Sequence, residues 1–240
     1  MSAYKLALMT HVVLGTTALV TYWIAALAKK GSAPHKLAGK VYLLAMLGLL
    51  LPAIPLSVRA YLHFSQAFGA FLFYLVLITF TALWQGWFAS RHKRDFARYA
   101  GPGFRRLAWS NVGAGAGVLA LGAVTANPIF LGFSLVGLLG GRGMLRLASR
   151  GPSGPRWWME QHLGAMLGAG VATHIAFLQL GLPRILPALS GPALMNLAWL
   201  GPLVLAGIAR VWLGRRYLSA PAPRGGARQS PAPHAASTSM

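Results

Sequence analysis

Long runs of apolar residues dominate the chain, and only short polar segments separate them. A helix rises about 1.5 Å per residue, so about 20 apolar residues cross the roughly 30 Å hydrocarbon core of a bilayer. Runs of this length occur seven times in the 240 residues. We therefore predict an all-α polytopic membrane protein, a bundle of seven transmembrane helices over residues 6–28, 37–58, 67–90, 105–126, 128–148, 158–182 and 193–216.

The scarcity of acidic residues supports the same fold class. Asp95 and Glu160 are the 2 acids of the chain, and charged residues make up 10% of it, whereas a soluble domain carries about 25%. A soluble enzyme could not cover its surface with so few charged groups. A hydrophobic content of 56% excludes a disordered chain. Because cysteine is absent, disulfides, thiolate metal sites and iron–sulfur clusters are excluded as well.

The basic residues lie in alternate gaps between the runs. The formal net charge of +20 is also found in nucleic-acid-binding proteins, but Lys and Arg avoid the middles of the apolar runs here. Of the 22, 19 lie in the first, third and fifth gaps, after the seventh run, or in the bordering turns of the adjacent runs; the exceptions are Lys5, Arg59 and Arg184. Lys and Arg accumulate on the cytoplasmic side of membrane proteins. We therefore expect the N-terminus outside, the C-terminus in the cytoplasm, the lipid bilayer as the partner, and no nucleic acid.

Three boundaries of the predicted bundle can be placed from local sequence. Only Asn127 and Pro128 separate the fourth run from the fifth, so a tight turn or a sharp kink is expected there. The first run exceeds the roughly 7–15 apolar residues of a signal peptide. Because Lys29 and Lys30 follow it at once, a retained first helix is favoured over a cleaved one. Residues 219–240 are rich in Pro, Ala, Ser and Arg and are predicted to be a disordered cytoplasmic tail.

Glycines and acids supply further expectations about packing. Gly113 and Gly117 form a GxxxG pair in the fourth run, which favours close helix packing in lipid. Asp95 is expected in a surface ion pair within a basic loop. Glu160 falls in the first turn of the sixth helix, where a negative charge suits the helix dipole, and Arg156 is its candidate partner. No acid lies in the middle of a run, which weighs against ion-coupled transport.

The histidines carry the main chemical signal in the runs, because imidazole binds metals and takes part in acid–base chemistry. His11 lies about 8 Å from the outer end of the first helix, and His174 about 12 Å from the same face. His35 lies at the inner mouth of the second helix, and His162 about 6 Å inside the sixth. The sequence therefore predicts an outer pair, His11 with His174, and an inner pair, His35 with His162. The remaining histidines are expected to be solvated; they are His63, His92 and His234.

Two imidazoles from facing helices at one depth suit the axial positions of a b-type haem. Small or flexible residues near the histidines would leave room for the macrocycle, and cytoplasmic arginines could meet its propionates. These neighbours are Gly15, Gly39, Met166 and Gly170. His11 and His174 are the first candidates for ligands to the haem iron. The same four histidines could instead bind zinc or copper, or have a structural or substrate-contacting role without any cofactor.

Three segments are similar to a family of predicted bacterial membrane proteins known as domain of unknown function 2306. They are HVVLGTTAL (residues 11–19), HKLAGKVYLLAM (35–46) and WWMEQHLGAMLGAGVATHIAF (157–177). The resemblance covers under half of the chain. It implies a multi-pass protein of the bacterial inner membrane and no established activity. Its motif positions would be His11, Gly15, His35, Gly39, His162 and Met166.

Three functions remain open on the sequence alone, and none assigns a catalytic residue. The first is a haem-binding electron carrier with histidine axial ligands. The second is a non-enzymatic assembly factor or an accessory subunit, which would have membrane-protein partners. The third is a small-molecule transporter or channel lined by the polar faces of the first and sixth helices.

Overall fold

The computed structural model of the protein describes residues 3–152, 154–186 and 191–218. Over these residues the regular secondary structure is helical, and seven helices are long and apolar enough to cross a membrane. The protein is therefore an all-α, multi-pass membrane protein, as predicted. The predicted tail 219–240, including His234, lies outside the described residues.

The helix bounds agree with the apolar runs but extend beyond several of them. The helices that cross are α1 (Ala3–Leu27), α2 (Ala33–His63), α3 (Gln66–Arg91), α5 (Pro102–Val124), α6 (Pro128–Arg150), α7 (Trp157–Ala176) and α9 (Pro192–Tyr217). A short helix, α4 (Phe96–Tyr99), lies in the third gap. A π-helical turn (Phe177–Gly181) joins α7 to the short α8 (Leu182–Ile185), so the sixth span is one nearly continuous helical segment.

The turn predicted between the fourth and fifth spans is confirmed. α5 ends at Val124, and Asn127 caps the start of α6 by accepting hydrogen bonds from the backbone N–H groups of Ile129 and Phe130. Pro128 occupies the first turn of α6, where its missing N–H removes no helical hydrogen bond. Ala126 has a φ of 49°, in the left-handed region. The chain therefore reverses direction within three residues.

The helices form two antiparallel hairpins, α1–α2 and α5–α6, with α3 and α7 between them. α7 lies against α1, α3 and α9, so it occupies the middle of the bundle. The α5–α6 contact depends on glycines, but not on the predicted GxxxG pair. Nothing lies near an added Cβ at Gly113 or Gly117, whereas one at Gly115 would lie 2.9 Å from the backbone of Leu138. The GxxxG expectation is corrected accordingly, because those two glycines face away from α6.

One end of the bundle collects most of the basic residues, and we name it the basic end. α1, α3, α6 and α9 end there, and α2, α5 and α7 begin there. Arg105 at the start of α5 donates to the carbonyl of Ala148 near the end of α6, at 3.3 Å. Arg156 donates to the carbonyl of Tyr217 at 3.2 Å, which joins the start of α7 to the end of α9. That this end faces the cytoplasm remains a prediction.

Both acids are engaged at the basic end. Asp95 caps α4 and accepts a hydrogen bond of 2.9 Å from the backbone N–H of Arg98. Glu160 lies 3.7 Å from Nη2 of Arg210 on α9. The expected Glu160–Arg156 pair is therefore replaced by a contact between two helices, because the side chain of Arg156 reaches the end of α9 instead.

Candidate functional site

His162 is held between α7 and α3 near the basic end. Its Nδ1 lies 3.0 Å from the carbonyl oxygen of Gly86, which is buried in α3. A carbonyl oxygen can only accept, so Nδ1 must carry the proton. In the neutral imidazole the other nitrogen, Nε2, then holds the lone pair. The contact therefore selects one tautomer as well as one ring position.

His35 has the same arrangement on the neighbouring helix. Its Nδ1 lies 2.9 Å from the carbonyl oxygen of Ala25, in the last turn of α1. The local fold favours this position, because Ser32 caps α2 and accepts from the backbone N–H of His35. Nδ1 is again the donor, which leaves Nε2 of His35 as the lone-pair nitrogen.

Two lysines lie close to these imidazoles. Lys30 donates to the carbonyls of Ala25 and Ala26, at the end of α1 where a cation suits the helix dipole. Partial burial lowers the pKa of the Lys30 ammonium. Lys93 places its Nζ 4.1 Å from the centre of the Trp158 ring, a cation–π distance.

We name His35, His162, Lys30 and Lys93 the inner histidine cluster. Lys30 and His35 contact the same main-chain carbonyl, that of Ala25. Lys93 contacts Trp158, which precedes His162 by one turn of α7. The four groups therefore lie at the same end of the bundle, where the two lysines would attract an anion, and the pairing of His35 with His162 stays a prediction.

The predicted outer pair is arranged differently. The ring of His174 packs edge-on against those of Tyr22 and Trp23, with centroid separations of 5.2 and 5.5 Å. Tyr22 follows His11 by 11 residues, which is about 16 Å along α1. The expectation that His11 and His174 share one depth is therefore corrected. His174 contacts α1 at a point that is much closer to the basic end than His11 is. Helix length alone could not give this offset, because it depends on how α7 slides against α1.

Two of the predicted histidines carry buried nitrogens without a hydrogen bond. Nδ1 of His174 lies 2.7 Å from the carbonyl of Gly170, one turn earlier in the same helix. Its Nε2 is buried and has no hydrogen-bond partner among the described residues, and the same holds for Nδ1 of His11. A buried polar atom without a hydrogen-bond partner destabilises the folded state, so these two nitrogens are energetically unfavourable where they lie.

Most of the space expected beside the predicted histidine ligands is filled by protein side chains. A Cβ added at Gly170 would lie 2.5 Å from the Tyr22 ring, and one at Gly15 would lie 3.4 Å from Leu49. The end of Met166 covers Gly86. Gly39 differs, because nothing lies within 4 Å of a Cβ added there. Of the four predicted packing residues, only Gly39, one turn from His35, keeps open space beside it.

Polar contacts beside His174 escaped the sequence reasoning. The hydroxyl of Tyr42 lies 3.2 Å from Oγ1 of Thr173, and Thr173 lies 3.4 Å from the sulfur of Met46. These contacts join α2 to α7 in the buried core. No spacing along the chain pairs Thr173 with Tyr42, because their contact depends on how α2 and α7 pack.

His63 and His92, the other two histidines within the described residues, lie at the ends of the bundle. His63 is exposed at the end opposite the basic end, as expected. His92 is half-buried at the end of α3, where its Nδ1 lies 3.2 Å from the carbonyl of Phe88. Across the described ranges, no three His, Asp or Glu side chains are grouped as a metal site would require. A metal at the inner histidine cluster would thus have two protein ligands.

Comparisons with known protein families, with characterised proteins and with solved structures returned no match. The resemblance to domain of unknown function 2306 therefore stays a prediction.

Proposed function

We propose that the protein is a b-type haem electron carrier of the bacterial inner membrane, with His35 and His162 as axial ligands. The observation that carries the proposal is the shared tautomer of the two imidazoles. Each Nδ1–H donates to a main-chain carbonyl, Ala25 for His35 and Gly86 for His162. Ligating histidines commonly donate their other ring N–H in this way, which fixes the ring and raises the basicity of the ligating nitrogen.

The surroundings of the two rings also fit an anionic macrocycle. Lys30, which shares the Ala25 carbonyl with His35, and Lys93, which contacts Trp158 one turn before His162, would meet carboxylate groups such as the haem propionates. The open space beside Gly39 lies one turn from His35. When bound, haem supplies one-electron chemistry, and the protein sets its potential through ligands, burial and charge. The offset between His11 and His174 leaves that pair out of the proposal.

The test is an absorbance spectrum of protein purified after expression with haem supplied. We expect a Soret band that shifts on reduction, with one haem per chain by the pyridine haemochrome assay. His35→Gln and His162→Gln should each lose most of the bound haem. His63→Gln is the matched control, because His63 is exposed at the opposite end, and it should retain the full band. A wild-type spectrum without a Soret band, or equal bands in all four proteins, would refute the proposal.

A second candidate is an accessory subunit of a larger membrane complex. It is favoured by the exposure of the two peripheral helices, α1 and α9. In each of them only 6% of the most apolar 18-residue stretch is buried inside the protein, whereas the corresponding share is 28–35% in the other five spanning helices. A partner helix could cover either. A photo-crosslinking residue at Val204 of α9, which is 60% exposed, should then give one discrete protein adduct in native membranes. The same residue at Leu44 of α2, which is 69% exposed, is the control; lipid adducts alone at both positions would exclude this function.

A further inference from the structure

An open pocket at the basic end, between α5 and α6, is lined by four arginines. Arg105 comes from the first turn of α5, and the other three, Arg142, Arg146 and Arg150, come from the last two turns of α6. Trp109, which is 64% exposed, forms part of the same wall. The Arg105 guanidinium is held across the pocket by its hydrogen bond to the carbonyl of Ala148.

No acidic side chain balances the charge in this pocket. Asp95 and Glu160 are the only acids of the chain, and they are engaged by the α4 cap and by Arg210. Arg142, Arg146 and Arg150 follow one another at intervals of four residues, and like charges at this spacing destabilise a helix. An anion from outside the chain would relieve the repulsion. A phosphate fits best, because guanidinium groups bind phosphate oxygens in pairs.

The surface beside the pocket indicates where the phosphate comes from. Leu135 and Leu139 lie on the same face of α6 as the arginines. Each of the five residues follows the one before it by three or four positions, which is the spacing of one helix face; they are Leu135, Leu139, Arg142, Arg146 and Arg150. Both leucines are largely exposed, at 49% and 65%. One helix face therefore presents apolar side chains toward the middle of the bilayer and arginines at its end. Trp109 lies at the boundary, where indole rings favour the headgroup level.

We infer that the α5–α6 pocket is a binding site for the phosphate of an anionic phospholipid. The acyl chains lie along the Leu135–Leu139 face, and the headgroup phosphate contacts the arginines. Basic pockets between transmembrane helices bind anionic headgroups by this chemistry. The site is separate from the inner histidine cluster, so it does not depend on haem.

The test is lipid binding by the full chain in a neutral detergent, measured by native mass spectrometry. Phosphatidylglycerol is titrated against phosphatidylcholine, and inorganic phosphate is added as a competitor. Each arginine near a membrane phosphate contributes about 1 kcal/mol, or about fivefold in affinity. We therefore expect the double variant Arg142→Gln/Arg146→Gln to bind phosphatidylglycerol about 30-fold more weakly. The matched control removes two charges outside the pocket, as Arg94→Gln/Arg215→Gln, and should change affinity less than twofold.

The outcomes separate the inference from its alternatives. Preference of the wild type for phosphatidylglycerol, loss in the pocket variant alone and no displacement by millimolar phosphate support it. Equal loss in both double variants would mean a diffuse charge effect and would overturn the site. Full displacement by inorganic phosphate would mean a site for free phosphate and would overturn the lipid assignment. If the pocket variant does not fold, the wild-type comparison still decides: equal binding of the two lipids would overturn the inference.

Discussion

Replacing Gly137 with alanine tests how closely α3, α5 and α6 approach one another. The Tyr74 hydroxyl on α3 donates to the carbonyl of Phe133 at 2.7 Å and accepts from the N–H of Gly137 at 2.8 Å. A Cβ at position 137 would lie 2.7 Å from both this hydroxyl and the carbonyl oxygen of Asn111 on α5. The methyl group therefore has no room unless two helices move.

The expected cost can be worked from these contacts. Overpacking costs about 1–3 kcal/mol. Losing the hydrogen bond at Tyr74 costs about 0.6 kcal/mol more, by the average measured inside membranes. Alanine regains about 1 kcal/mol over glycine in helix propensity. We therefore expect Gly137→Ala to lower the free energy of unfolding by about 0.6–2.6 kcal/mol.

Gly140→Ala on the same helix is the control, because nothing lies within 4 Å of a Cβ added there. It should stabilise the protein, since only the propensity gain of about 1 kcal/mol applies. Reversible unfolding in mixed detergent–SDS micelles measures both variants. Equal stability of the two alanine variants would refute the reasoning, because it would mean that α3, α5 and α6 are not in contact at Gly137.

Two further predictions concern the ends of the bundle. The buried hydroxyl of Tyr99 has no hydrogen-bond partner among the described residues, so Tyr99→Phe should stabilise the protein by about 1 kcal/mol in thermal unfolding. Burial also raises the pKa of Tyr99; the unfolded state therefore loses this proton first, at about pH 10, and wild-type stability should fall above that pH while the variant loses less. A variant that is less stable than the wild type at neutral pH would contradict the unpartnered hydroxyl. Because the chain has no cysteine, Ser149→Cys and His63→Cys each create one thiol, and both side chains are exposed, at opposite ends. In intact cells an impermeant maleimide should label only the His63→Cys variant; labelling of Ser149→Cys instead would invert the predicted orientation.

The glycines illustrate what a sequence pattern cannot specify. GxxxG identified α5 as a helix that packs closely, but the residues that meet α6 are Gly115 and Gly122, not Gly113 and Gly117. All four glycines lie on α5, and the rotation of α5 about its axis decides which of them face α6. That rotation is set by the neighbouring side chains on α3 and α6. A spacing along one helix contains no information about it.

The histidines also show which positions a sequence can predict and which it cannot. The placement of His35 and His162 at the same end of the bundle could be predicted from their distances to helix ends, because both lie within about two turns of the basic end. His11 and His174 lie farther from any turn, and the predicted match in depth was wrong. The depth at which α7 meets α1 depends on how the two helices slide past each other, and the sequence of neither helix specifies it. The partner of Glu160 was missed for a related reason, because Arg210 comes from a helix more than 30 residues away in sequence.

The amino-acid sequence by itself determined that this is a membrane protein with seven spanning helices, and approximately where those spans lie. This holds because each span must satisfy its own backbone hydrogen bonds and match the bilayer thickness, and both requirements are local. Only the tertiary structure decided which imidazoles, glycines and arginines face one another. Those contacts depend on the rotation and the sliding of packed helices, which are set by side chains from three or four segments at once.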